Sequence, residues 1–254
     1  MSKNASYRHL ETWIGRNLDI AAEIPAQGRL RSSFDRLQSW QQARLDATYS
    51  DLASQQRFTK ACRFFLGELY GGGDWQARDK QLARVLPLMR RILSKSLLYA
   101  LGEAMRLQVM SLELDLDMAR ILIDTGTMDQ PAYAAAYRKQ ARWKDRKEQI
   151  SLVRSLGEQL DDIVSKPGLH RLVRVMRRPA RLGGVGLLQD FLERGLDAFA
   201  NLGEAEDFLG VICGRELQAL EAMRKNDDWP YRPWIGTGPD MSAGQATIGQ
   251  EQGR

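Results

Sequence analysis

Apolar residues recur at helical spacing along most of the chain, and no stretch alternates between apolar and polar residues as a half-buried strand would. The clearest stripe lies in residues 55–70 and consists of Phe58, Cys62, Phe65, Leu66 and Leu69. Further stripes predict helices at about 5–23, 30–53, 75–93, 95–124, 131–140, 143–165, 168–177, 180–202 and 204–225. Whether 131–140 and 143–165 form one continuous helix stays open. The predicted fold class is all-α, a single globular domain of about seven to nine helices.

The segment 95–124 is predicted to be the central helix, because it is apolar on two nearly opposite sides. One face carries Leu98, Leu101, Met105, Val109, Leu112 and Leu116. The other carries Ala100, Leu107, Met110, Leu114 and Ile121. A narrow polar strip between these faces holds Arg106, Glu113, Asp117 and Arg120. Asp115 lies away from that strip, so we expect it to be partly buried, and a buried charge needs a partner.

The helical pattern is interrupted at Pro87 and lost near Asn226. Pro87 lies inside 75–93, where the loss of one backbone hydrogen bond predicts a kink or a restart of the helix. We divide the chain into an all-helical domain, 1–226, and a flexible tail, 227–254, which is rich in aromatic residues and proline and then in glycine. Its last part, from 236 onward, is expected to be disordered. Trp229, Tyr231 and Trp234 either pack on the domain or form a short docking segment.

The composition is that of a soluble globular protein: of 254 residues, 43% are hydrophobic and 27% are charged. The first residues lack the apolar core of a secretory signal, and no run approaches the roughly 18–20 apolar residues that span a bilayer. Cys62 and Cys213 are the only cysteines in the sequence. Both sit among apolar neighbours, which fits buried thiols in a reducing compartment better than a disulfide. We therefore expect a cytoplasmic protein.

Positive charge is concentrated in one segment of the chain. Residues 166–181 contain no acid and six cations, namely Lys166, Arg171, Arg174, Arg177, Arg178 and Arg181. The net charge of the whole chain is +5, so the remainder is close to neutral. On a helix these arginines lie opposite the apolar side chains of the segment. Such a helix could bind an acidic protein, nucleic acid or an anionic membrane surface, or it could be a solvated face that pairs with acids elsewhere in the fold.

The sequence lacks the familiar motifs of metal sites and of nucleophilic catalysis. Its only histidines are His9 and His170, and neither follows a glutamate by three residues, as helical di-iron sites require. The two isolated cysteines do not have the spacing of a zinc site. No nucleophile elbow, phosphate-binding loop or dinucleotide fingerprint occurs. We assign no catalytic residue, no metal ligand and no cofactor, and His170 is the candidate ligand if the protein carries haem.

A glycine turn after the third predicted helix combines aromatic and charged residues. Gly71 suits the position after a helix end, where φ > 0 is needed, and Asp74 is placed to cap the next helix. Arg78 follows Asp74 by one turn and lies beside Asp79, so an ion pair that braces the turn explains these charges most simply. We interpret the stretch as a structural corner. Tyr70, Asp74, Arg78 and Asp79 are its members with a possible role in a pocket.

Residues 64–79, which read FFLGELYGGGDWQARD, resemble a signature of uncharacterised proteobacterial helical proteins, FFLxDLYGPxDFxxRD. Three positions depart from it while keeping an acid, a turn and an aromatic ring: Glu68 for aspartate, Gly72 for proline and Trp75 for phenylalanine. Segments 111–115 and 188–195 are also similar, so the likeness covers roughly residues 30–220. The resemblance implies a bacterial cytoplasmic helical protein and brings no activity with it.

Three functions are compatible with these features. The leading hypothesis is a non-enzymatic interaction or regulatory protein that binds an anionic partner through 166–181. The alternative is a small-molecule or enzymatic pocket between the predicted helices 55–70, 75–93 and 95–124, lined by Asp115 or by the corner residues. The third is a carrier of haem or of another apolar ligand.

Overall fold

The computed structural model describes residues 2–64, 75–164, 169–182, 184–200, 202–203 and 205–238, and these contain twelve helices and no strand. The all-α prediction is confirmed. In chain order the helices are α1 (Lys3–Glu23), α2 (Arg29–Thr48), α3 (Ser50–Ala53), α4 (Thr59–Phe64), α5 (Trp75–Ile92), α6 (Lys95–Ile121), α7 (Gln130–Gln140), α8 (Trp143–Val164), α9 (Leu169–Leu182), α10 (Gly186–Ala200), α11 (Ala205–Arg224) and α12 (Arg232–Ile235).

Several helices begin at a polar side chain that caps the first free backbone N–H groups. The Ser2 hydroxyl accepts from the Ala5 amide at 3.2 Å, and the Ser94 hydroxyl accepts from the Leu97 amide at 3.2 Å. Asp129 caps α7 in the same way. Ala141 then adopts a left-handed conformation with φ of 55°, so α7 and α8 are separate helices.

Neither proline inside a helical segment restarts its helix. α5 runs through Pro87 to Ile92, and α9 runs through Pro179 to Leu182, beyond the end expected at 177. Pro87 is exposed, so the carbonyl that loses its helical donor lies on the side of α5 that water reaches.

α6 is the central helix, as its two apolar faces predict. Its first face packs against α1 and α2, in clusters that pair Leu98 and Met105 with Leu10 and Ile14, and Leu112 and Leu116 with Phe34 and Leu37. Its second face packs against α8, where Ala100 and Leu107 meet Leu152 and Leu156. Gly102 lets α1 approach closely, since a Cβ atom there would lie 2.4 Å from Cδ2 of His9.

The chain packs on the helical body beyond Asn226, which is where the sequence pattern placed the domain boundary. Tyr231 is 1% exposed and joins the core cluster of α2, α6, α7 and α11. Trp234 packs against the same cluster, so these aromatic rings fold back on the domain. We name residues 227–238 the C-terminal strap.

Candidate functional site

Charged and polar side chains are buried together where α2, α6, α7, α8 and α11 meet. The cluster contains four ionisable groups, which are Arg44 on α2, Asp115 on α6, Arg146 on α8 and Glu216 on α11. The surrounding polar and aromatic side chains are Trp40, Gln41, Tyr49, Tyr133, Tyr137 and Tyr231. We name this group the arginine–tyrosine centre.

Arg44 is paired with Glu216 in this centre. Its Nη1 donates to Oε1 of Glu216 at 2.5 Å, and the Tyr49 hydroxyl donates to the same carboxylate oxygen at 2.7 Å. The guanidinium lies 4.3 Å from the centroid of the Tyr231 ring, which is a cation–π distance. Burial opposes the positive charge, but Glu216 holds the pKa of Arg44 above its usual value.

Asp115 is 7% exposed, as expected for the carboxylate outside the polar strip of α6. Its Oδ1 accepts from Nε2 of Gln41 at 3.1 Å. Burial raises the pKa of Asp115, and the positive charge of Arg146 partly offsets this effect. Among the described residues, its partners therefore lie on α2 and α8.

Arg146 is 4% exposed, and its hydrogen-bond partners are neutral. Its Nη2 donates to Oε1 of Gln140 at 3.1 Å and its Nη1 to Oε1 of Gln149 at 3.3 Å. The guanidinium lies 4.3 Å from the centroid of the Tyr137 ring. Within the described ranges no carboxylate forms an ion pair with Arg146, so its charge is balanced only at longer range.

The C-terminal strap covers one side of the centre. The Tyr231 amide donates to Oε1 of Gln130 at 3.0 Å, and Nε2 of Gln130 donates to the carbonyls of Gly236 at 2.9 Å and Gly238 at 3.1 Å. Arg138 adds an ion pair to Asp228 at 2.5 Å. One glutamine amide therefore holds both ends of the turn that carries Tyr231.

The amino-acid sequence indicates part of this centre through the positions of two polar residues on the apolar stripe of α2. Gln41 and Arg44 follow Leu37 by four and seven residues, so they continue the buried stripe of α2. A polar residue on an apolar stripe indicates a buried polar contact. Arg146, Glu216 and Gln130 were not expected as members of a site, because their partners lie far away in the sequence.

The basic segment forms the peripheral helix α9, which packs on α10. Glu193 of α10 accepts from Nε of Arg177 at 2.9 Å, and Asp190 lies 3.7 Å from Nη2 of Arg181. The ion pair with Arg177 lowers the pKa of Glu193. Thus two of the predicted cations are matched by acids of α10.

The other three arginines lie beside Arg177 and Arg181 on the surface of α9, farther from α10. Arg171, Arg174 and Arg178 are exposed, and no acid of the described part of the chain pairs with them. Val175 lies among them at helical spacing and is 66% exposed. This face combines three cations with one apolar side chain.

The side chains of the corner residues Tyr70, Asp74, Arg78 and Asp79 are not described by the structure. Tyr70 and Asp74 lie outside the described residues, as does Lys166. Arg78 and Asp79 lie in the first turns of α5, and their side chains are not among those described. The pocket proposed near this corner therefore stays a prediction.

The cysteines and His9, in the described ranges, are buried or form contacts between helices. Cys62 and Cys213 are buried free thiols, and burial raises the pKa of Cys62 to about 11. Nε2 of His9 lies 2.6 Å from Oε1 of Glu103, which joins α1 to α6. Within those ranges no three histidine, cysteine or acidic side chains are grouped to hold a metal ion. No helix there is both long and apolar enough to cross a bilayer.

Comparison with known proteins yields one family. The model of a domain of unknown function, DUF8198, matches residues 22–230, which include α9 and most of the arginine–tyrosine centre. No curated protein and no solved structure matches the chain. The match extends over most of the sequence, and the chain therefore belongs to the DUF8198 family.

Proposed function

We propose that the protein is a non-enzymatic interaction protein that binds an acidic helical segment of a protein partner through the exposed face of α9. The observation that carries the proposal is the division of the α9 arginines. All five are exposed, but Arg177 and Arg181 pair with acids of α10, whereas no acid of the described residues pairs with Arg171, Arg174 or Arg178. Three unmatched arginines on one face create a local positive potential that attracts an anionic partner.

The contact between α9 and α10 supports carboxylates as the groups recognised. On that side, arginines of one helix already bind acids that lie three residues apart on another, Asp190 and Glu193. The planar guanidinium forks of Arg171, Arg174 and Arg178 match a second set of carboxylates in the same way. Val175 adds an exposed apolar contact next to Arg171 and Arg178.

A membrane surface fits this helix less well. An interfacial helix inserts its apolar side among the lipids. In α9 the side opposite the exposed arginines faces α10, where Nε2 of Gln189 donates to the Val173 carbonyl at 2.6 Å. That side is not free for lipid.

The test uses a synthetic helical peptide with glutamates three and four residues apart, labelled for fluorescence anisotropy. Arg174→Glu combined with Arg178→Glu reverses the charge of the exposed face and should weaken binding at least about tenfold. The melting temperature should not change, because these side chains are exposed and make no ion pair to the described residues. The matched control, Arg8→Glu with Lys144→Glu, changes the net charge equally at exposed positions elsewhere and should bind as the wild type does.

Two results would overturn the proposal. One is equal binding by the reversed α9 variant and the control. The other is tighter binding to single-stranded DNA, or to vesicles containing phosphatidylglycerol, than to the acidic peptide at the same ionic strength. In that case α9 would recognise phosphate groups rather than carboxylates.

A further inference from the structure

Three buried nitrogen atoms of the arginine–tyrosine centre donate no hydrogen bond. They are Nε1 of Trp40, Nε of Arg44 and Nε of Arg146. The three residues are 0%, 5% and 4% exposed. A buried N–H group without an acceptor costs about 1–3 kcal/mol, and native proteins retain few of them. All three groups are donors, so each of them lacks an acceptor.

These donors surround one group of aromatic rings. The Trp40 ring lies 4.6 Å from the Tyr133 ring, and the Tyr133 ring lies 4.9 Å from the Tyr137 ring. Arg146 lies over Tyr137 and Arg44 lies over Tyr231. The three unpaired donors therefore belong to side chains that contact one connected group of aromatic rings.

The centre holds two arginines and two acids, but only one arginine is in a direct ion pair. Glu216 already neutralises Arg44 through a direct ion pair. Arg146 binds only amide oxygens, and the nearby acid, Asp115, is itself hydrogen-bonded to Gln41. One carboxylate would supply the missing acceptors and the direct counter-charge of Arg146. A doubly charged phosphate would bring more negative charge into the interior than a carboxylate does, which is less favourable.

The C-terminal strap provides a route to this centre. The centroid of the Tyr231 ring lies 4.3 Å from Cζ of Arg44 and 6.5 Å from the centroid of the Trp40 ring. The strap is held there by the Gln130 amide and by Arg138, whose partner Asp228 is exposed. Tyr231 and Trp234 add apolar contacts to the core, and the strap carries only the short helix α12, so it can lift without unfolding a long helix.

From these observations we infer that the arginine–tyrosine centre is a binding site for a small aromatic carboxylate, which enters as the C-terminal strap lifts. The carboxylate accepts from Nε of Arg146, Nε of Arg44 and Nε1 of Trp40. The ring of the ligand takes a place among the tyrosines, next to or instead of Tyr231. This site is separate from the exposed face of α9, so either proposal can fail without the other.

The test compares benzoate with benzamide, which has the same shape without the charge, by isothermal titration calorimetry on the full chain. Benzoate should bind at least about tenfold more tightly, because charged hydrogen bonds to buried donors are strong. Trp40→Phe keeps an aromatic side chain, although a smaller one, and removes the N–H group, so benzoate binding should weaken about tenfold. Trp13→Phe, on α1, is the matched control and should bind benzoate normally.

A second variant tests the role of the strap. Tyr231→Ala removes the ring over Arg44, so benzoate should bind more tightly and associate faster than with the wild type. The inference is wrong if benzoate and benzamide bind equally, if neither binds, or if Trp40→Phe binds benzoate as the wild type does. Stronger binding of inorganic phosphate than of benzoate would also overturn the assignment to carboxylates. The Trp40→Phe result stands even if Tyr231→Ala does not fold.

Discussion

The arginines of the centre and the arginines of α9 are the same side chain in opposite environments. Arg44 and Arg146 are at most 5% exposed, and each lies 4.3 Å from a tyrosine ring. Arg171, Arg174 and Arg178 are exposed to water. A buried guanidinium depends on its partners, since an unpaired charge in the interior is very unfavourable, whereas an exposed one is already solvated. We therefore expect the centre to contribute more to stability than the exposed arginines of α9.

The acids of the two regions differ in the same way. Burial raises the pKa of Asp115 in the centre, whereas the ion pair with Arg177 lowers the pKa of Glu193 beside α9. Desolvation dominates in the first case and a hydrogen-bonded ion pair in the second. The direction of the pKa shift thus distinguishes the two acids. Folding disfavours the charged form of Asp115 and favours the charged form of Glu193.

The largest effect is expected when Arg44 loses its partner. Glu216→Gln should lower the free energy of unfolding by about 3–5 kcal/mol, because it leaves a buried guanidinium without its counter-charge. Urea denaturation monitored by circular dichroism measures this change. Glu221→Gln, on the exposed side of the same helix, is the control and should leave the unfolding curve unchanged, although Glu221 also pairs with an arginine. Equal effects of the two substitutions would contradict the comparison.

A slightly smaller loss is expected from the strap. Tyr231→Ala removes a ring that is 1% exposed and stacks over Arg44, so the free energy of unfolding should fall by about 3 kcal/mol. Arg232→Ala, at the next and exposed position, should have little effect. Both are measured by the same denaturation experiment. A strap that contributes nothing to stability would show the same unfolding midpoint for both variants.

The two types of carboxylate should give opposite pH dependences. The pKa of Asp115 is raised in the folded protein, so the folded state binds this proton more tightly than the unfolded state. Its contribution to stability is present below the unfolded pKa and is lost as the pH rises through the folded pKa. Asp115→Asn should therefore match the wild type in acid and become progressively more stable relative to it toward neutral pH.

Asp51 provides the control for this experiment. Its hydrogen bonds to Arg215 lower its pKa, so its contribution to stability is present above the unfolded pKa and lost as the pH falls. Asp51→Asn should then be less stable than the wild type at neutral pH and approach it in acid. Melting temperatures between acid and neutral pH give both differences. The same sign of slope for the two variants would show that burial does not dominate at Asp115.

The smallest effect is expected at the contact between α9 and α10. Glu193→Gln removes the ion pair of Arg177, which frees a fourth arginine on α9. Because the pair is exposed, stability should hardly change. Binding of the acidic peptide should strengthen by a few-fold and depend more steeply on salt. Anisotropy titrations at two ionic strengths measure both, and an unchanged affinity would show that Arg177 cannot join the exposed set.

Much of the helical framework was predictable from local patterns. The two apolar faces of 95–124 identified α6 as central, and the position of Asp115 off the polar strip identified it as buried. The apolar stripe of α2 also passes through Gln41 and Arg44, yet composition alone assigns such residues to solvent. Their burial could not be predicted because it depends on Glu216, which lies 172 positions from Arg44 in the sequence. An acid so distant leaves no local periodicity.

The helices, the central place of α6 and the concentration of positive charge in one segment could be read from the amino-acid sequence, because they depend on the spacing of residues within a few turns. Which arginines are buried and which are paired with acids became clear only from the packing of the helices. The tertiary structure also decided that Tyr231 packs over Arg44 rather than extending into solvent. The physical reason is that charge pairing and burial act between residues that are close in space, and helix packing alone brings α2, α8, α11 and the C-terminal strap together.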